Sequence, residues 1–172
     1  MRMTSVTHPL KIAAIPAGHN LGRVGITFCP GKHDAQAVSG YWARDLSLDL
    51  ETIRGWGAAA VVTLVESKEL DLLRVPQLGD EVVRRGMLWF HLPIVDVWQV
   101  AGHELRALIR NGRDVLVHCR GGLGRAGTIA SKLLIEFGME PAMAIRKVRT
   151  ARPGAIETNE QEQYVLGLGL NK

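Results

Sequence analysis

An α/β fold, a single domain with a central, mostly parallel sheet and helices on both faces, is predicted by three observations. Short apolar runs rich in β-branched residues, at 59–65 and 115–117 among others, read as strands buried on both sides. They alternate with segments whose apolar residues recur at helical spacing, the order of strand–helix–strand units. A chain of 172 residues with 47% hydrophobic content also makes one domain large enough to bury a core.

Residues 1–9 are mixed and polar and read as a flexible leader, leaving 10–172 as the folded domain. Apolar runs at 10–15 and 24–28, separated by a segment holding Pro16, Gly18 and Gly22, suggest a hairpin. Cys29-Pro30-Gly31-Lys32 then breaks the chain. Asp45 suits an N-cap, Leu46, Leu50 and Ile53 follow at helical spacing, and Gly55 or Gly57 ends that helix. The strand at 59–65 comes next. Residues 66–74 look helical and stop before Pro76, and 80–85 give a short helix closed by Gly86. Residues 87–92 form another strand, ended by Pro93. Ala101, Leu105, Leu108 and Ile109 are the inner stripe of the following helix, which Gly112 terminates. A strand at 114–118 leads through a glycine-rich loop into a helix at 126–137, with Gly138 beyond its end. Pro141 at the first helical position starts another helix, with Ala144, Ile145 and Val148 inward. Arg152-Pro153-Gly154 is a turn. Thr158 and Gln161 have capping-box spacing, so a last helix runs through Tyr164, Val165 and Leu168.

Composition narrows the function classes. No stretch approaches the ~20 apolar residues of a membrane span, and residues 1–10 lack the apolar core of a signal peptide. Two cysteines give neither a disulfide framework nor a zinc spacing. The net charge of +4 suits anionic substrates without demanding nucleic acid. A cytoplasmic, reducing setting is expected, with no membrane or nucleic-acid partner.

The chemistry is expected in the loop His118-Cys119-Arg120-Gly121-Gly122-Leu123-Gly124-Arg125. Strand, tight loop and helix N-terminus together make an anion site, with backbone N–H groups converging and the helix dipole favouring negative charge. Gly121, Gly122 and Gly124 permit positive φ where the amides must turn inward. A cysteine at the mouth of such a loop is favoured as thiolate by the amides, the helix terminus and Arg125. The Arg125 fork can take two phosphate oxygens at once. Arg120 is expected to point at incoming substrate and add affinity for a second anionic group. His118 precedes the nucleophile, so in a strand its side chain points away from Cys119 and serves to shape the loop. Asp96, on the loop after the strand at 87–92, is the candidate proton donor, with helix capping as its alternative role. Asp114 lies at the wrong end of its strand. Cys29 reads chiefly as a packed thiol and, alternatively, as a partner that captures an oxidised Cys119. Gly122-x-Gly124-x-x-Gly127 formally matches a dinucleotide fingerprint, but the chain continues helix–turn–helix without the second strand and its acidic end. No Gly-x4-Gly-Lys-Ser/Thr sequence is present, so a nucleotide P-loop is excluded.

His118-Cys119-x5-Arg125 resembles the signature of the cysteine-dependent protein tyrosine and dual-specificity phosphatases, and its loop is similar to that of the kinase-associated phosphatase (cyclin-dependent kinase inhibitor 3) family. The likeness runs from about residue 12 to 168. It implies a phosphatase-like fold and hydrolysis of phosphate monoesters through a phosphocysteine, on phosphoprotein or small phosphoester substrates, without metal or cofactor. It also implies Asp96 as general acid, since Pro93-Ile94-Val95-Asp96 reproduces the family's Pro-Ile-x-Asp stretch. Residues 156–161 resemble the family's water-positioning Gln-Thr-x-x-Gln stretch, with Glu157 in place of the first glutamine and Gln161 retained. The chain departs from the family at Ala126, where a Ser or Thr hydroxyl usually contacts the sulfur. Two rivals for the same loop are a rhodanese-like sulfurtransferase, whose loop is usually one residue shorter, and an inactive phosphate-binding module, which could dispense with Cys119 and Asp96.

Overall fold

The computed structural model describes residues 1–93 and 98–169. Among the described residues eight strands are formed: β1 (Arg2–Met3), β2 (Ala13–Pro16), β3 (Arg23–Thr27), β4 (His33–Asp34), β5 (Tyr41–Ala43), β6 (Ala58–Thr63), β7 (Leu88–His91) and β8 (Asp114–His118). The main sheet has the order β2-β3-β8-β6-β7. Only the β2–β3 hairpin is antiparallel; β3 and β6 each lie parallel to β8, and β7 lies parallel to β6. The two strands nearest the middle are covered on both sides, so β6 is buried at every position and β8 at all but its first. That is why both read as continuous apolar runs rather than alternating ones.

The helices are α1 (Leu46–Trp56), α2 (Ser67–Leu72), α3 (Leu78–Arg84), α4 (Trp98–Arg110), α5 (Gly124–Glu136), α6 (Pro141–Ala151) and α7 (Asn159–Gly167). α1 and α3 pack on one face, against β6 and β7, while α4, α5 and α6 cover the other. Local chemistry sets the ends. The Asp45 carboxylate accepts the Leu48 N–H, and Gly57 closes α1 at φ 103°. Thr158 and Gln161 form the expected capping box on α7. None of these helices is long and apolar enough to cross a membrane.

A second sheet, β1-β5-β4, was not legible in the sequence. Its strands hold two or three residues each, too few for a periodic signal. It also changes the reading of residues 1–9 as a flexible leader. Arg2–Met3 pairs with Tyr41 and Trp42, and the buried Arg44 donates to the carbonyls of Thr4 (3.5 Å) and His8 (2.7 Å). Arg44 also forms a two-pronged pair with the buried Asp49 carboxylate, at 2.8 Å on each oxygen. The other Asp49 contact is the Gly31 N–H at 2.8 Å, so one ion pair fastens the N-terminal segment, α1 and the chain break at 29–32.

Candidate active site

Cys119 leaves β8 at the C-terminal end of the parallel strands, where α/β sheets hold ligands. It is 3% exposed, at the floor of a cavity of about 1150 Å³ that is also lined by Lys11, Phe28, Trp42, Arg120 and Arg152. A loop can aim its amides at one point only if its carbonyls turn outward and find donors there. Every carbonyl from residue 119 to 124 does. The Cys119 carbonyl accepts from His118 Nδ1 (3.2 Å), and that of Arg120 from the Cys29 N–H (3.2 Å) and Lys32 Nζ (3.2 Å). Those of Gly121 and Gly122 accept from Arg152 Nη2 (3.0 Å) and Nε (3.1 Å). Leu123 accepts from the N–H groups of Gly127 (2.9 Å) and Ile156 (3.2 Å), and Gly124 from the Thr128 hydroxyl (2.8 Å).

The glycines divide the work differently from expectation. Of the three, only Gly122 has positive φ, at 70°, and a Cβ there would lie 2.6 Å from backbone atoms of Thr27 and Phe28. Gly124 is required for closeness instead, because a Cβ would meet Glu157 and Gln161 at 2.8 Å. Gly121 has open space around it.

His118 is fully buried, and desolvation pushes its pKa down to about 4, so the ring is neutral at pH 7. With Nδ1 facing a carbonyl, the single proton sits on Nδ1, and Nε2 accepts from the Thr63 hydroxyl at 2.7 Å. Thr63 in turn accepts from Trp89 Nε1 at 2.8 Å. A relay from β7 through β6 thus fixes the tautomer that holds the start of the loop.

Charge around the loop is nearly balanced. Arg125, in the first turn of α5, donates both Nη atoms to Glu69, at 2.7 and 3.0 Å. That engages the end of its guanidinium. Arg120 does not reach freely for substrate as expected: Asp34 holds its Nε and Nη2 at 2.9 and 3.0 Å. The Glu157 carboxylate accepts the Gly124 N–H at 2.9 Å, so an acid already occupies one N-terminal amide of α5. Against these three carboxylates stand Arg120, Arg125, Lys32 and Arg152, with Lys11 also lining the cavity, so positive charge is in excess around Cys119. Hydrogen bonding to the arginines keeps Asp34 and Glu69 below the ordinary carboxylate range.

Sequence reasoning missed Glu69, Asp34, Lys32 and Arg152 as parts of this site. Glu69 carried only a local sign, a capping box with Glu66 on α2, and Arg152 read as a turn residue. Asp96 lies outside the described residues. Gln161 sits beside the loop, with its side-chain oxygen taken by the N–H groups of Glu157 (2.9 Å) and Thr158 (3.2 Å). Cys29 is fully buried, and burial pushes its thiol well above the ordinary range, which suits the packing role. Asp114 binds Arg23 at 2.6 Å, at the far end of β8. Trp98 donates to Glu136, and His91 meets the Val65 carbonyl at 2.7 Å. The side chain at 126 is fully buried, and the nearby Thr128 hydroxyl is committed to Gly124.

Comparison with known proteins agrees with this geometry. A family model described as "PTP-SAK: Swiss Army Knife protein, DSP-PTPase phosphatase domain" matches residues 45–165. Cyclin-dependent kinase inhibitor 3 of Mus musculus is 33% identical over 132 residues, 71% of this chain and 62% of that protein. The human protein of the same name gives the same figures, so the match spans about three fifths of these curated relatives. Among solved structures, kinase-associated phosphatase with its catalytic cysteine changed to serine superposes with a TM-score of 0.80 at 26% identity, covering 92% of this chain and 93% of that one. Tk-PTP in its active form gives 0.68 at 29% identity, covering 93% and 98%.

Proposed function

The chain belongs to the DSP-PTPase phosphatases, and on that premise we propose that it hydrolyses phosphate monoesters of phosphorylated proteins through a phosphocysteine, accepting phosphotyrosine and phosphoserine or phosphothreonine. The observation that carries this reading is the outward turn of every loop carbonyl around Cys119, which leaves the amides and Arg125 to meet an anion. Cys119 attacks phosphorus, and the amides with Arg125 stabilise the equatorial oxygens. Asp96 protonates the leaving oxygen and then activates the water that breaks the S–P bond, returning the sulfur as thiolate. Glu157 and Gln161, in the stretch that resembles the family's water-positioning one, would position that water. No metal or cofactor takes part. The match to a DSP-PTPase phosphatase domain supports dual specificity, and the likeness to kinase-associated phosphatase supports a phosphoprotein over a small phosphoester. A cytoplasmic setting fits the reduced thiol the reaction needs.

Turnover of an aryl phosphate is the direct test. Cys119→Ser is expected to abolish it while still binding orthophosphate, and retained turnover would sink the mechanism. Asp96→Asn should lose roughly 10²–10⁴-fold with a poor leaving group and far less with a good one; equal losses would make Asp96 structural. Thiosulfate sulfurtransfer without phosphatase activity would favour the rhodanese-like alternative.

A further inference from the structure

We propose that Lys32 and Arg152 are positioning residues of the phosphatase reaction: they clamp the outward carbonyls of residues 120–122 and so fix the amides that receive the phosphoryl group. The proposal rests on the phosphatase reading of the loop and adds two residues to it.

Arg120-Gly121-Gly122 has neither strand nor helix to hold its peptide planes, and its first two residues are exposed. Two glycines make it the part most free to turn over. All three carbonyls there are nevertheless bonded. Arg152 spans two consecutive peptides with Nη2 on Gly121 and Nε on Gly122, a fork matched to two acceptors as a single ammonium would not be. Lys32 reaches the Arg120 carbonyl out of the break at 29–32.

Lys32 is buried and Arg152 half-buried, and among the described residues neither has a carboxylate partner. Lys32 is 3% exposed, stands over the rings of Phe28 and Trp42, and donates to that one carbonyl. A buried charge held by neutral carbonyls is costly for stability alone. Here the Cys119 charge supports that of Arg152 against desolvation. The backing is itself firmly set. Ile156, a β-branched residue at φ 60°, places its N–H on Leu123, and Arg149 holds the carbonyls of Ala155 and Ile156 at 3.1 and 3.0 Å. Left-handed backbone at such a residue persists only where its surroundings enforce it.

The test is tungstate binding followed by titration calorimetry, alongside kcat and KM for a small aryl phosphate and a thermal melt. Arg152→Ala and Lys32→Met should each weaken tungstate and lower kcat by about ten- to a hundredfold, with a smaller change in KM, because a misaligned loop costs most in the transition state. Arg152→Lys keeps the charge but can serve only one carbonyl, and should restore part of the loss. If Arg152→Ala fails to fold, a severalfold weaker tungstate affinity in Arg152→Lys is the expected result, and an unchanged one overturns the assignment. Affinity and kcat within twofold of the wild type in both main variants would also overturn it. So would a loss confined to phosphopeptides, which would make Arg152 a substrate contact. A wild-type protein that fails to bind tungstate would refute the phosphatase reading itself.

Discussion

At Ala126 the chain lacks the hydroxyl that the resembling family sets beside the sulfur, and Thr128 does not replace it because its proton goes to the Gly124 carbonyl. One lost hydrogen bond to a charged sulfur should slow release of the thiolate from phosphorus by roughly ten- to a hundredfold. Stopped-flow kinetics should therefore show a burst before the steady state, and Ala126→Ser should raise the steady rate and shrink the burst. Glu157 invites the opposite change. Its carboxylate holds an amide that would otherwise face an anion, so Glu157→Gln should tighten orthophosphate binding severalfold, measurable by competitive inhibition. His118 gives a pH signature. Its native pKa of about 4 lies below the unfolded 6.5, so the unfolded chain takes up a proton that the native state refuses. Stability is full above about pH 6.5 and lost as pH falls toward 4, by up to about 3 kcal/mol. Urea midpoints between pH 7 and 4 should fall less in His118→Asn than in the wild type. Cys119, His118 and Arg125 were legible because their meaning lies in eight consecutive residues. Lys32, Glu69 and Arg152 were not, because their contacts span 88, 56 and 30 positions.

The element that decides the site is the loop between β8 and α5, and its two adjacent glycines give a paired test. Gly122→Ala forces a Cβ onto backbone atoms of β3 and Phe28 that cannot move aside, at a φ of 70°. The left-handed backbone alone costs roughly 1–2 kcal/mol, and the clash adds to it, so a fall in melting temperature and loss of turnover are expected together. Gly121→Ala meets nothing and should melt close to the wild type. Two alike letters in the sequence thus differ in what they carry, and only the chain packed beneath them tells them apart. The same contrast holds for whole elements. α1 announced itself through Asp45, its apolar spacing and Gly57, all local signals, and β8 through an unbroken apolar run. β1, β4 and β5 had no such signal, since their few residues are held by contacts with remote parts of the chain.

For the molecule as a whole, Arg44 shows how the N-terminal segment is tied to the rest. Removing the arginine leaves Asp49 buried without its partner, a change that costs about 3–5 kcal/mol. Arg44→Met should lower the denaturation midpoint accordingly and open residues 4–8 to proteolysis, while the pair Arg44→Met with Asp49→Leu should recover much of the stability. The fold class was readable from alternating patterns, but the sheet order was not, because neighbours in the sheet are remote in the chain. β8 sits between β3 and β6, pairing Val24 with Val115 on one edge and Val61 with Leu116 on the other. Such distant parallel pairings close large loops and form slowly. The strand that delivers Cys119 can therefore take its place only after two far-separated parts of the chain have come together around it. On refolding, turnover should return with the slowest native phase and not with early helix formation, so a chain still on its way to the native state has its cysteine but no anion loop around it, and no working enzyme.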